Sequence, residues 1–156
     1  MAIRKIITEG NDLLRKKCRP VVDFNGKLHT LLDDMRDTLK KADGVGLAAP
    51  QVGILRRIFI VETGYGSESN VIEFINPQIV KTQGTQDGLE GCLSVPDVSG
   101  YVERPYKVVV KAFDRYGKPF EIELEGLSAR CICHENDHLD GILFIDKARF
   151  EEEGEY

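Results

Sequence analysis

A chain of 156 residues, 42% apolar and 30% charged, is long enough to bury a core of its own and has the make-up of an ordinary globular protein, read as one domain over 1–156. A net charge of −5 argues against nucleic acid as the main partner, and no apolar run approaches the roughly 20 residues of a membrane span. The start, Met1-Ala2-Ile3-Arg4-Lys5-Ile6, lacks the apolar core of a signal peptide. A cytosolic (cytoplasmic) protein is therefore expected, with Cys18, Cys92, Cys131 and Cys133 as thiols or metal ligands rather than disulfides.

Asn11 is placed to cap a short helix through Asp12-Leu13-Leu14-Arg15-Lys16, stopped by Pro20. Asn25 or Gly26 opens a longer one, in which Leu28, Leu31, Leu32, Met35 and Leu39 recur at helical spacing and Gly44 ends the last turn. Gly44-Val45-Gly46-Leu47-Ala48-Ala49-Pro50-Gln51 follows, with too little side chain to pack as an ordinary helix. Arg57–Val61, Val71–Ile75 and Ile79–Lys81 are rich in β-branched and aromatic residues and read as separate strands with turn residues between them. Tyr106–Phe113 and Phe120–Leu124 read as a hairpin joined across Asp114-Arg115-Tyr116-Gly117. From Leu127 to Leu139 the helical period returns, with Ser128 as the candidate cap and Gly141 as the stop. Helices, then mainly antiparallel strands, then a helix make an α+β domain: antiparallel sheets packed around a C-terminal metal-binding helix, with helices at the N-terminus.

The last helix carries His134-Glu135-Asn136-Asp137-His138. Two imidazoles four residues apart share a helix face and can bind one metal ion. Glu135 lies about 100° around the helix from His134, near enough to reach a metal-bound water without being a ligand. A catalytic metal needs a third protein ligand with a position left open for water. No histidine follows His138, and Asp140, Asp146, Glu151, Glu152, Glu153 and Glu155 match no familiar protease spacing, which weakens the protease reading.

The cysteines are the other source of a ligand. Cys131 shares the face of His134 and His138, but positions seven apart lie about 10 Å apart along a helix, too far for one ion. Cys133 points about 100° away from His134, so both are read as helix-packing thiols. Cys92, in Leu89-Glu90-Gly91-Cys92-Leu93-Ser94, leads an apparently extended segment. A buried thiol is the ordinary reading of a lone cysteine, yet the missing ligand makes Cys92 the candidate.

Three segments together resemble peptide deformylase: Gly44-Val45-Gly46-Leu47-Ala48-Ala49-Pro50-Gln51, Glu90-Gly91-Cys92-Leu93-Ser94, and His134-Glu135-Asn136-Asp137-His138 followed by Leu139. The resemblance spans nearly the whole chain. It implies removal of the N-formyl group from the formyl-methionine that begins nascent bacterial or organellar polypeptides, met at the ribosome exit, with no nucleic acid or membrane as partner. It also implies Fe(II) as the native metal, with Zn(II), Ni(II) or Co(II) as substitutes. Carried onto matching positions, Cys92, His134 and His138 are the ligands. Glu135 is the general base for the attacking water and then the acid for the departing amine, while Gln51 and the Leu93 N–H stabilise the oxyanion. Val45, Gly46 and Gly91 belong to the substrate groove, whose pocket takes an unbranched apolar side chain; the helix face of Cys131 and His134 is a candidate wall.

Cys133 stands where the family often has Gln, and Asn136 where an apolar residue is common, but neither faces the metal. Asp137 is placed either to orient a ligand or to cap packing, Glu90 and Arg104 are expected to form a buried ion pair bracing the Cys92 segment, and His29 to sit at the surface or boundary of its helix. The acidic tail Glu151-Glu152-Glu153-Gly154-Glu155 is read as solvated, in place of a long C-terminal helix. Two rival readings remain. A zinc metallopeptidase would be indifferent to Cys92→Ala, and a binding module would have lost Glu135, Gln51 or a ligand, none of which is lost.

Overall fold

Asparagine side chains start both N-terminal elements. Asn11 Oδ1 accepts from the Leu13 N–H at 3.0 Å and caps a 3₁₀ turn, Asp12–Arg15. Asn25 Oδ1 accepts from the Leu28 N–H at 3.2 Å and caps α1, Gly26–Ala42. The computed structural model describes residues 2–63 and 70–150, so the acidic tail lies outside the described residues. The five apolar residues spaced along α1 are all buried. The residue that ends α1 differs from expectation: Asp43, not Gly44, takes the left-handed conformation (φ 55°), which a short polar side chain tolerates.

The small-residue segment becomes a three-residue strand, β1 (Gly46–Ala48), and a 3₁₀ turn, Ala49–Val52. β2 (Ile58–Glu62) follows. Where two short strands were expected, one long strand runs through, β3 (Val71–Gln83). The turn residues at its middle make a bulge: Asn76 has φ 51°, and its side-chain amide brackets the Val21 backbone, accepting from N–H at 2.8 Å and donating to C=O at 2.9 Å. β4 (Gln86–Cys92) and β5 (Val95–Arg104) pair as a separate two-stranded sheet that periodicity did not reveal. Gly88, Gly91, Gly100 and Pro96 lower its apparent β-propensity. The expected hairpin is present as β6 (Lys107–Phe113) and β7 (Pro119–Glu125), with Asp114 Oδ1 accepting from the N–H groups of Tyr116 and Lys118 in its turn. α2 (Leu127–His138) starts after Gly126 without a side-chain cap, so Ser128 lies inside the first turn rather than capping it.

The order β1-β2-β3-β6-β7 is antiparallel throughout. Strand alternation explains how helices cover both faces. Phe59, Val61 and Phe74 point to the side where Ala129, Ile132 and Leu139 of α2 and its C-terminus pack, while Ile58, Ile60 and Ile75 meet the leucines of α1. A third cluster (Val95, Val102, Leu14, Leu143 and Phe144) seats the β4–β5 hairpin beside the end of α2. This is the α+β arrangement expected from the sequence. Among the described residues, no helix is long and apolar enough to cross a membrane.

Candidate metal centre

α2 crosses beneath β1 and β2 and presents His134 and His138 one turn apart, ring centroids 5.1 Å from each other. Cys92 arrives from the end of β4, where the register with β5 slips between Gly91 and Cys92. One donor atom from each of Cys92, His134 and His138 lies within 4.8 Å of the others, and Cys92 Sγ is 3.4 Å from His138 Nε2. Tetrahedral bonds of about 2.0–2.3 Å would set their donors roughly 3.3–3.8 Å apart, so the three fit one ion with small adjustments.

The second contacts fit as well. His134 Nδ1 lies 2.9 Å from Glu90 Oε1, which places a proton on Nδ1, so that a neutral ring binding a metal would offer Nε2. The Glu90–Arg104 ion pair expected from the sequence is present and bidentate, with both contacts at 2.8 Å. Arg104 reaches on to Asp137 at 2.7 Å, and Lys147 meets the same carboxylate at 3.0 Å. Asp137 therefore acts on His134 only through Arg104 and Glu90, not as a direct partner.

Charges around the centre are sorted by burial. Desolvation works to raise the Glu90 carboxyl, but Arg104 and His134 outweigh it and hold it at about 2. Burial pushes the Glu135 carboxyl up to about 7 against the pull of His134. His138 is pushed down to about 3, by burial first and then by the positive groups at His134 and Arg104. At His134 burial works downward, yet Glu135, Cys92 and Glu90 overcome it and lift the ring to about 10. The groups that hold a proton on His134, namely Glu135, Cys92 and Glu90, would equally favour a divalent cation in its place.

Glu135 is buried, and its Oε1 has no hydrogen-bond partner among the described residues. Its other oxygen faces β1: a Cβ on Gly46 would lie 2.6 Å from Oε2. Only glycine at 46 leaves room for that carboxylate. Gln51 sits at the same wall, 1% exposed, with Oε1 accepting from the Ala48 N–H at 2.9 Å. Its Nε2 donates to Ser94 Oγ at 3.1 Å and lies 3.6 Å from Cys92 Sγ. Gln51, Cys92, Leu93, His134 and Glu135 all line one cavity of about 620 Å³, while His138 lies behind them. Val45, Gly46 and Gly91 line the same cavity, and Val45 stands half exposed at its rim. Cys131 is buried, as expected of a packing thiol, and forms part of the cavity wall with His134. Cys133 is buried away from the cavity, and His29 is half-buried against the Arg115 carbonyl.

Two residues of the site were missed in the sequence. Ser94 is fully buried and partners Gln51, a contact across 43 positions that no local pattern announces. Arg130 lines the cavity and reaches Glu90 at 2.7 Å; its place four residues before His134, on the same helix face, was the available signal.

Residues 3–153 match the family model described as Polypeptide deformylase. The chain is 55% identical over 156 residues to the peptide deformylase of Caldicellulosiruptor bescii, covering 99% of this chain and 92% of that protein. It is 53% identical to that of Thermoanaerobacter pseudethanolicus, covering 99% and 96%. Among solved structures, a peptide deformylase from Legionella pneumophila superposes with a TM-score of 0.91 at 48% identity, covering 95% of this chain and 87% of that one. A class I type b peptide deformylase from Acinetobacter baumannii with Met-Ala-Ser bound gives 0.89 at 36% identity, covering 94% and 98%.

Proposed function

Because the chain belongs to the polypeptide deformylase family, we propose that it is a single catalytic domain that removes the N-formyl group from the formyl-methionine of nascent polypeptides. The observation that carries this reading is the Cys92, His134 and His138 donor cluster beside the buried Glu135, whose Oε1 has no hydrogen-bond partner among the described residues. The Met-Ala-Ser tripeptide bound to the Acinetobacter relative has the sequence of a deformylated product and supports methionine as the first residue. An enzyme with this substrate would act in the cytoplasm, near the ribosome exit.

The donor set suits Fe(II), with Zn(II), Ni(II) or Co(II) as substitutes, because one thiolate and two neutral imidazoles leave a divalent ion with net charge +1 and a soft coordination shell. A metal held there supplies Lewis acidity, lowering the pKa of water from 15.7 towards about 7 and drawing charge from the formyl oxygen. Glu135 takes the proton from water as its oxygen attacks the formyl carbon. The Gln51 Nε2–H and the Leu93 N–H donate to the oxygen that gains charge, and Ser94 and Ala48 hold Gln51 in place. As the C–N bond breaks, Glu135 passes the proton to the departing amine, leaving formate and a free N-terminus. Val45, Gly46 and Gly91 border the groove for the peptide, and the first side chain enters the cavity bounded by Cys131.

Protein purified without air and loaded with Fe(II) should release free amine from a formyl-Met tripeptide and lose that activity on exposure to air, since a thiolate ligand is oxidisable. Stoichiometric metal binding with no turnover would sink the enzyme reading.

A further inference from the structure

Arg130 stands one turn before His134 on α2, buried, and lines the cavity together with Glu90. Its Nη1 donates to Glu90 Oε2 at 2.7 Å and to the Val102 carbonyl at 2.9 Å. Four donors then converge on the Glu90 carboxylate. Oε1 receives Arg104 Nη2 at 2.8 Å and His134 Nδ1 at 2.9 Å, while Oε2 receives Arg104 Nε at 2.8 Å and Arg130 Nη1 at 2.7 Å. A carboxylate has about four lone-pair sites, so Glu90 is saturated and its plane is held at both oxygens.

Charge balance gives Arg130 a second task. Arg104 faces two carboxylates, Glu90 and Asp137; the half-exposed Lys147 also meets Asp137, and Arg130 brings a second buried guanidinium to Glu90. The backbone makes room for it: a Cβ on Gly88 would lie 2.9 Å from Arg130 Nη2 and 3.3 Å from the guanidinium carbon.

We propose that Arg130 is a positioning residue for His134: by holding Glu90 Oε2 it sets the direction of the Glu90–His134 hydrogen bond, and with it the aim of the imidazole toward Cys92 and His138. Without that contact the carboxylate can pivot on its pair with Arg104, and the ring turns with it. The inference rests on reading Cys92, His134 and His138 as a metal site.

Co(II) alone is the probe, read by its visible absorption and by competition with a chelator, independent of turnover. Arg130→Gln removes the charge, Arg130→Lys keeps it with a shorter reach, and Gly88→Ala displaces the guanidinium without deleting it. Arg130→Gln and Gly88→Ala are expected to shift the absorption and weaken Co(II) binding about 10–100-fold, with Arg130→Lys in between. Wild-type spectra and affinity in both Arg130→Gln and Gly88→Ala overturn the proposal and leave the metal site standing. If Arg130→Gln does not fold, wild-type values in both Gly88→Ala and Arg130→Lys overturn it equally. A wild-type protein that binds no Co(II) overturns the metal reading itself, and the proposal with it.

Discussion

Gly46→Ala should disable the protein through one contact. The new methyl carbon would sit 2.6 Å from Glu135 Oε2 and 3.0 Å from its Cδ and Cγ, whereas ordinary contact begins at 3.4 Å, so the two groups must part by about 0.8 Å. Neither backbone yields readily. Gly46 pairs with Val61 in the sheet, and α2 is packed against the same sheet through Ala129 and Ile132. The displacement therefore falls on the Glu135 carboxylate. Misplacing a reacting group by about 1 Å can cost on the order of 10²-fold in rate, or roughly 2.7 kcal/mol of barrier. The three nearest atoms to the new methyl all belong to Glu135, so metal content should stay at the wild-type level. The assay is kcat and KM for a formyl-Met tripeptide, with metal content and thermal unfolding measured on the same sample. A Gly46→Ala protein with wild-type kcat would refute the reasoning, and a change confined to KM would assign Gly46 to the groove alone.

Gln51→Leu should lower kcat by about 10²–10³ by removing one donor to the developing negative charge, with KM much less affected; steady-state kinetics decide it. Iodoacetamide at neutral pH should alkylate only Cys92 in metal-free protein. Burial pushes Cys18 and Cys133 up to about 11 and Cys131 up to about 12, and peptide mass mapping with and without added metal would show both the selectivity and protection of Cys92. Far from the cavity, Glu73 receives Arg36 at 2.7 Å and Arg115 at 2.9 and 2.6 Å. Burial works to raise its carboxyl, but the two arginines hold it below the usual range. The stability it adds is present above its unfolded pKa near 4.3 and is lost as pH falls through the lower folded value. Glu73→Gln should cost roughly 1–3 kcal/mol at pH 7, with the gap to wild type narrowing below about pH 4 in denaturant titrations. A gap independent of pH would count against the ion-pair origin.

Features set by neighbours along the chain were legible before any fold was known. The leucine stripe of α1, the asparagine caps, the β6–β7 hairpin and the pair His134 and His138 each depend on spacing within one element. Their chemistry follows from helix or strand period alone. Cys92 was legible only as a candidate, because its distance to the histidines depends on where β4 ends. The β4–β5 hairpin escaped because its glycines dilute the strand signal, and β3 was split because Asn76-Pro77 reads locally as a turn although the bulged strand runs through it.

The sequence by itself determined the donor types, the helix that carries two of them, the carboxylate beside them and the α+β class. Tertiary structure alone decided that Glu90 meets His134, Arg104 and Arg130 together, that Ser94 holds Gln51, and that Gly46 faces Glu135. These contacts join residues 14 to 89 positions apart. Local preference carries no information about such pairs; they exist because burying both faces of the sheet and the β4–β5 hairpin brings the end of β4, the edge of β1 and one face of α2 around a common cavity.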